Sequence, residues 1–151
     1  MARAARVGAV TRTRVYRDGV LAESDFPLSA LESYVRDEAA TVWVDLGAPS
    51  AADLQTVAGA LGLHELAVED ALQSRQRPKV DEYDGSCYVT AYSVSLSGAS
   101  LSTAELGIFL APKAVVTVRP SAEFDIDAVV ERWDSSSRPV EAGFLVHGLL
   151  D

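Results

Sequence analysis

Hydrophobic and polar positions alternate along some stretches of the chain and recur every three or four residues along others, and the switch between the two periods marks the elements. Residues 7–16 alternate in their second half and run into Asp18-Gly19 before Val20-Leu21-Ala22, which predicts a β-hairpin closed by a two-residue turn. Pro27 precedes apolar residues at 28, 31, 34 and 35, the spacing of a short helix. Thr41-Val42-Trp43-Val44-Asp45-Leu46 is a β-rich run closed by Gly47. Pro49-Ser50 then opens a helix carried by Leu54, Val57, Ala58 and Leu61, which Gly62 stops, so strand and helix form a βα unit. A third helix over 63–73 follows directly, with Leu63, Leu66, Ala67 and Ala71 as its stripe and Pro78 placed to prevent continuation.

From Lys79 the texture changes to strands at 80–83, 88–96, 101–110 and 114–118, separated by Asp84-Gly85, Ser97-Gly98 and Pro112-Lys113. Strands joined this closely pair antiparallel, because a parallel return needs a crossover. Helical spacing returns over 124–133, Ser135-Ser136-Ser137-Arg138-Pro139 breaks it, and a last helix starts at Pro139. That helix reaches Leu149-Leu150-Asp151 with no glycine cap or polar turn, so the natural chain is expected to continue. There is no internal repeat and no low-complexity tract.

With 151 residues, 48% hydrophobic and 23% charged, the chain has the composition of one folded domain rather than a disordered tail. The net charge is −9, and all 22 acidic residues follow Arg17, while Arg3, Arg6, Arg12, Arg14 and Arg17 stand ahead of them. A phosphate polyanion has no basic footprint to bind, so nucleic acid is excluded as a partner, and a divalent cation suits the field better. The five leading arginines are expected to face water. Cys87 is the only cysteine, which rules out an internal disulfide and a thiolate metal cluster and fits a reducing compartment. Its alternating setting reads as a packed strand thiol, and with His64 and His147 the only histidines a Cys/His nucleophile pair has little to build on. No stretch approaches the roughly 20 apolar residues of a membrane helix, and Val7-Gly8-Ala9-Val10 is too short for a signal-peptide core, so the chain as it stands is read as neither secreted nor spanning, while compatible with being a piece of a spanning protein.

The densest acidic group is Glu65, Glu69, Asp70, Asp81, Glu82 and Asp84, interrupted by Arg75, Arg77 and Lys79. On a helix Glu65 and Glu69 share a face and Asp70 lies about 100° round from Glu69, so the adjacent carboxylates point in two neighbouring directions. A solvated helix face explains this pattern, and so does a site for a hard cation such as Mg²⁺, which keeps several waters and needs one or two carboxylates. His64-Glu65 lacks the second histidine of a zinc-protease helix, since position 68 is Val68. His147 reads as a packed or exposed side chain rather than a ligand, and Trp43 and Trp133 as core or interface anchors. Asp45, at the end of a strand before Gly47, stands where α/β enzymes place catalytic carboxylates and also where a carboxylate caps the next turn. The cap is the preferred reading, because no phosphate-cradling loop or Ser/His pair accompanies it.

Leu63-His64-Glu65-Leu66-Ala67-Val68-Glu69-Asp70-Ala71-Leu72-Gln73, followed by Arg75-Gln76-Arg77-Pro78-Lys79-Val80-Asp81-Glu82-Tyr83, closely resembles the cytoplasmic N-terminal domain of CorA-type magnesium and cobalt transporters. Val42-Trp43-Val44-Asp45-Leu46, Gly107-Ile108-Phe109-Leu110, Val115-Val116-Thr117-Val118 and Leu149-Leu150-Asp151 resemble flanking parts of the same domain, so the likeness covers roughly residues 40 to 151. Glu65 stands where many members have proline and Gln73 where many have asparagine, which implies small shifts of the helix ends. The resemblance implies a three-layer α/β/α sandwich over residues 1–138 with a mixed, largely antiparallel sheet, and the start of a long stalk helix over 139–151. It implies a homopentamer at the cytoplasmic face of the cell membrane, whose transmembrane helices and Gly-Met-Asn loop are not in this chain. It also implies a regulatory, non-enzymatic role in which Glu69, Asp70 and Asp151 sense Mg²⁺ between neighbouring subunits. Transport of Co²⁺, or of Zn²⁺ as in the related ZntB branch, stays open. A structural assembly module without sensing, and a metal-dependent hydrolase with Asp45, Glu69 and Asp70 in one pocket, are the rival readings.

Overall fold

Alternation becomes seven strands and the three-to-four-residue spacing becomes five α-helices in the computed structural model, among the described residues 10–73, 76–120, 124–135 and 142–150. The hairpin is β1 (Val10–Arg17) and β2 (Val20–Ser24), and both turn residues, Asp18 and Gly19, take the positive φ that a tight hairpin turn needs. A 3-10 turn at Leu28–Ala30 leads into α1 (Leu31–Val35), which is short because neither Pro27 nor Ala30 supplies a capping side chain. Then come β3 (Ala40–Gly47), α2 (Ala51–Leu61), α3 (Glu65–Leu72), β4 (Lys79–Tyr83), β5 (Ser86–Ser97), β6 (Ser100–Ala111), β7 (Ala114–Arg119), α4 (Ile126–Ser135) and α5 (Ala142–Leu150). Ser135, the first residue of the expected serine-rich break, is the last residue of α4, whereas Ser136 to Pro139 and the boundary expected at 138/139 lie outside the described residues, as do Arg3, Arg6 and Asp151.

The strands form one sheet in the order β2-β1-β3-β7-β6-β5-β4. The second half is the antiparallel meander expected from its short turns, and β3 pairs with β7 in parallel. The sheet is therefore mixed and largely antiparallel, with helices on both sides. Val42, Val44 and Leu46 of β3 turn to one face, where they pack with Val116, Val118, Phe109 and the buried residues Leu31, Leu54, Val57, Ala67, Val68 and Ala71 of α1, α2 and α3. Trp43 turns to the other, with Val115, Leu106, Ile108 and the Ile126, Val129, Val130, Trp133, Leu145 and Leu149 side chains of α4 and α5. The two tryptophans meet edge to face at 4.9 Å, which makes them core anchors.

The arginines of β1 do not face water alone, as the sequence suggested, but are partly exposed and paired with carboxylates. Arg12 pairs with Asp127 at 2.5 Å, Arg14 with Asp134 at 2.5 Å, and Arg17 with Asp37 at 2.9 Å. Arg12, Arg14 and Tyr16 share the strand face that α4 covers, and Asp127 and Asp134 stand two turns apart on that helix, so the docking of α4 brings the opposite charges together. Arg17 in turn holds the Asp37 carboxyl below the usual carboxylate range, helped by the Ala39 N–H. These pairs are partly exposed and screened by solvent, so they trim the packing of the elements rather than hold it together.

Asp45 is not a turn cap either. Its parallel partner across the seam is Thr117, with Arg119 opposite Gly47 one step further on, and all three side chains are buried. The Thr117 hydroxyl donates to Asp45 Oδ1 at 2.7 Å, and Arg119 donates through Nε to Oδ1 at 3.0 Å and through Nη2 to Oδ2 at 2.6 Å. Trp43 Nε1 donates to the Thr117 hydroxyl at 3.2 Å and ties the clamp to the tryptophan pair. The carboxylate is drawn inward because the strand register offers a fork-shaped cation at the right height, which a turn does not. Arg119→Met leaves that carboxylate buried and unpaired and is expected to lower stability by about 3–5 kcal/mol in urea unfolding. The Asp45→Leu, Arg119→Met double variant, which removes both charges, is expected to be closer to the parent than either single change.

Candidate functional site

The acidic motif sits on α3, and the local sequence fixes that helix at both ends. Ser50 and Asp53 form a reciprocal capping box at the start of α2, with Asp53 N–H donating to Ser50 Oγ at 3.1 Å and Ser50 N–H to Asp53 Oδ2 at 3.3 Å. Gly62 stops α2 in the left-handed conformation, φ 68°. His64 then starts α3, its Nδ1 accepting the Leu66 N–H at 3.1 Å while its ring stacks on Tyr83 at 4.6 Å. Histidine is an uncommon cap, and the sequence carries no signal for this role beyond its place between Gly62 and an apolar run.

With Ala67, Val68 and Ala71 buried against the sheet, Glu69 falls on the exposed side of α3 and Asp70 is half-buried toward β4. Lys79 Nζ donates to Asp70 Oδ2 at 2.9 Å and to Asp81 Oδ2 at 3.0 Å. Those two hydrogen bonds, Asp70 first, push the ammonium above the usual lysine range. Glu65 and Glu69 rim a groove of about 410 Å³ between α2 and α3, floored by Ala58, Gly59, Leu63 and Val68. Glu82 lies on the exposed face of β4 and Asp84 is exposed in the turn after it, so Glu65 with Glu69, Asp70 with Asp81, and Glu82 point in different directions rather than being gathered.

Among the described residues no three His, Cys, Asp or Glu side chains converge on a point where a metal ion fits. The donor chemistry is nonetheless that of a hard cation, since Glu69 and Asp70 offer carboxylate oxygens and Mg²⁺ is held by one or two of these plus water. Of these two carboxylates Glu69 is exposed and Asp70 is held by Lys79. Asp45 lies on the sheet face covered by α4 and α5, away from α3, so the three carboxylates of the hydrolase reading do not share a pocket. Cys87 is half-buried, and burial, then Glu82, push its thiol up, the reverse of an activated nucleophile. His147 is exposed on α5.

The family model described as CorA-like Mg²⁺ transporter protein matches residues 38–151. The chain belongs to that family. This CorA-like chain is also 32% identical over 113 residues to the inferred metal ion transporter YfjQ of Bacillus subtilis (strain 168), a match that covers 75% of this chain and 35% of that relative. Its fold superposes on the complete structure of the CorA magnesium transporter from Methanocaldococcus jannaschii with a TM-score of 0.67 at 16% identity, over 93% of this chain and 43% of that one. The soluble domain of the same transporter gives a TM-score of 0.62 at 16% identity, over 91% of this chain and 54% of that one. The CorA-like chain thus spans about a third of the length of its curated relative. Among its described residues no helix is long and apolar enough to cross a membrane.

Because the α3 start depends on one side-chain acceptor, His64→Ala is expected to cost about 1 kcal/mol and His64→Ser to restore most of it, read as shifts in the urea midpoint.

Proposed function

We propose that this CorA-like chain is the cytoplasmic regulatory domain of a divalent cation transporter, working as one subunit of a homopentamer on the inner face of the cell membrane. Mg²⁺ is the cation it senses, and Mg²⁺ or Co²⁺ the cargo carried by the rest of the protein. The observation that carries the reading is the exposed Glu69, adjacent to Asp70, on a rigid helix of a chain matched by the CorA-like Mg²⁺ transporter model. Glu69 and Asp70 meet carboxylates of a neighbouring subunit, and Asp151 joins them from the stalk helix.

The physics of such an interface is simple. Opposed carboxylates repel, a divalent cation neutralises them, and the difference biases the equilibrium between a closed and an open arrangement. Moving a two-state equilibrium from about 1:99 to 99:1 takes about 5.5 kcal/mol of differential binding. Shared among five equivalent interfaces this is about 1 kcal/mol each, which weak, water-rich Mg²⁺ sites supply. Sensing therefore requires many weak sites rather than one tight cage, in keeping with a chain whose described residues gather no complete donor set.

In the full-length protein reconstituted in vesicles, Glu69→Ala with Asp70→Ala is expected to keep Mg²⁺ influx running at internal Mg²⁺ concentrations that shut the parent. Closure at the parental concentration overturns the reading.

A further inference from the structure

The two adjacent carboxylates of the α3 motif are not equivalent, because one of them already has a cation. Lys79 and Asp81 are two residues apart on β4 and share the strand face turned to α3, a placement set by the pairing of Lys79 with Thr90 and Asp81 with Tyr88 on β5. From across the seam Asp70 reaches the same ammonium, so one nitrogen lies 2.9 Å from Asp70 Oδ2 and 3.0 Å from Asp81 Oδ2. The three side chains are 30%, 26% and 35% exposed, open enough for water and ions to reach them and closed enough to hold one geometry.

We propose that Lys79 is a resident counter-ion that keeps divalent cations off Asp70, so that a cation reaches Asp70 only by displacing the ammonium. The inference rests on the sensing reading in one respect, that a cation approaches α3 at all, and it adds what sets the threshold. An ammonium is a compact, strongly hydrated single charge on a flexible stem, so it neutralises a carboxylate pair without the permanence of a bidentate guanidinium. Removing it leaves two carboxylates aimed at one point from opposite sides of a helix–strand seam. That arrangement repels itself and attracts a divalent ion. Two consequences follow. Glu69 is the carboxylate that meets a cation first, and any cation that goes on to take Asp70 also removes the Lys79 tie between α3 and β4, leaving the His64–Tyr83 stack and the buried face of α3 to hold the helix.

The test uses Mn²⁺ as the probe on the 151-residue chain, with free Mn²⁺ read by electron paramagnetic resonance and folding checked by circular dichroism. Lys79→Met is expected to bind Mn²⁺ at least about tenfold more tightly than the parent, Lys79→Arg to stay at the parental level, and Lys79→Met with Asp70→Asn to lose the gain. A folded Lys79→Met chain with parental Mn²⁺ affinity overturns the inference. A measurement on the unaltered chain covers a variant that fails to fold: rising Mg²⁺, which is diamagnetic, is expected to shift the nuclear magnetic resonance signals of the Glu69 side-chain carboxylate at lower concentration than those of Asp70 and the Lys79 ammonium, and shifts at the same concentration overturn the inference. The two readings fail separately. Gained Mn²⁺ binding in Lys79→Met together with parental closure of the Glu69→Ala, Asp70→Ala channel upholds the counter-ion and removes the sensor, whereas lost closure without gained binding does the reverse.

Discussion

The parallel pairing of β3 with β7 is the constraint on which the rest of the structure depends. It joins the first half of the chain, a hairpin and a βα unit, to the last strand of a separate antiparallel meander, and every other strand takes its position outward from that seam. Parallel neighbours have no turn to set their register, so something else must. Here the Asp45 carboxylate meets Arg119 and Thr117 across the seam, all of them buried. A slip of two residues would leave the same hydrophobic faces inward but strand a buried charge, a cost of several kcal/mol that apolar packing alone does not impose. The clamp acts on specificity more than on depth of stability, since burying two charges is expensive even when they pair well.

The seam also divides the labour of the two sheet faces. On the Trp43 side, α4 docks through a tryptophan pair and is trimmed by Arg12 and Arg14. On the Val42–Val44 side, α2 and α3 lie where the crossover begins, with α3 held to the sheet by three small or branched residues, to Tyr83 by the His64 ring and to β4 by Lys79. The helix that carries the acidic motif is therefore anchored along its buried face and on its β4 side, and Glu69 projects from the side left open.

What could be read from the sequence divides along the same line. The hairpin, the βα unit, the meander and the helix stops were legible because each rests on residues within a few positions of one another, such as Asp18-Gly19, Ser50 with Asp53, or Gly62. The family was legible because the Ala-Val-Glu-Asp motif and the Arg-Pro-Lys-Val run that follows it stand close in sequence. The partners of charged side chains were not. Asp45 and Arg119 are 74 residues apart, Arg14 and Asp134 120 apart, and composition gives no means of saying which of 22 acids a given arginine will meet. At the candidate site periodicity correctly sends Glu69 and Asp70 to neighbouring directions, but it carries no trace of Lys79 between Asp70 and Asp81, because that contact needs α3 and β4 to be packed first.

That missed contact changes how the motif is understood. A helix that presented two open carboxylates side by side would attract a cation by itself and would hold it whatever its neighbours did. A helix that presents one open carboxylate beside one already neutralised attracts a cation weakly and gains most when a second surface brings more oxygen donors. Under the proposed reading, weakness in the single chain is what makes occupancy report on assembly geometry, since a site that is complete in isolation cannot distinguish one arrangement of subunits from another.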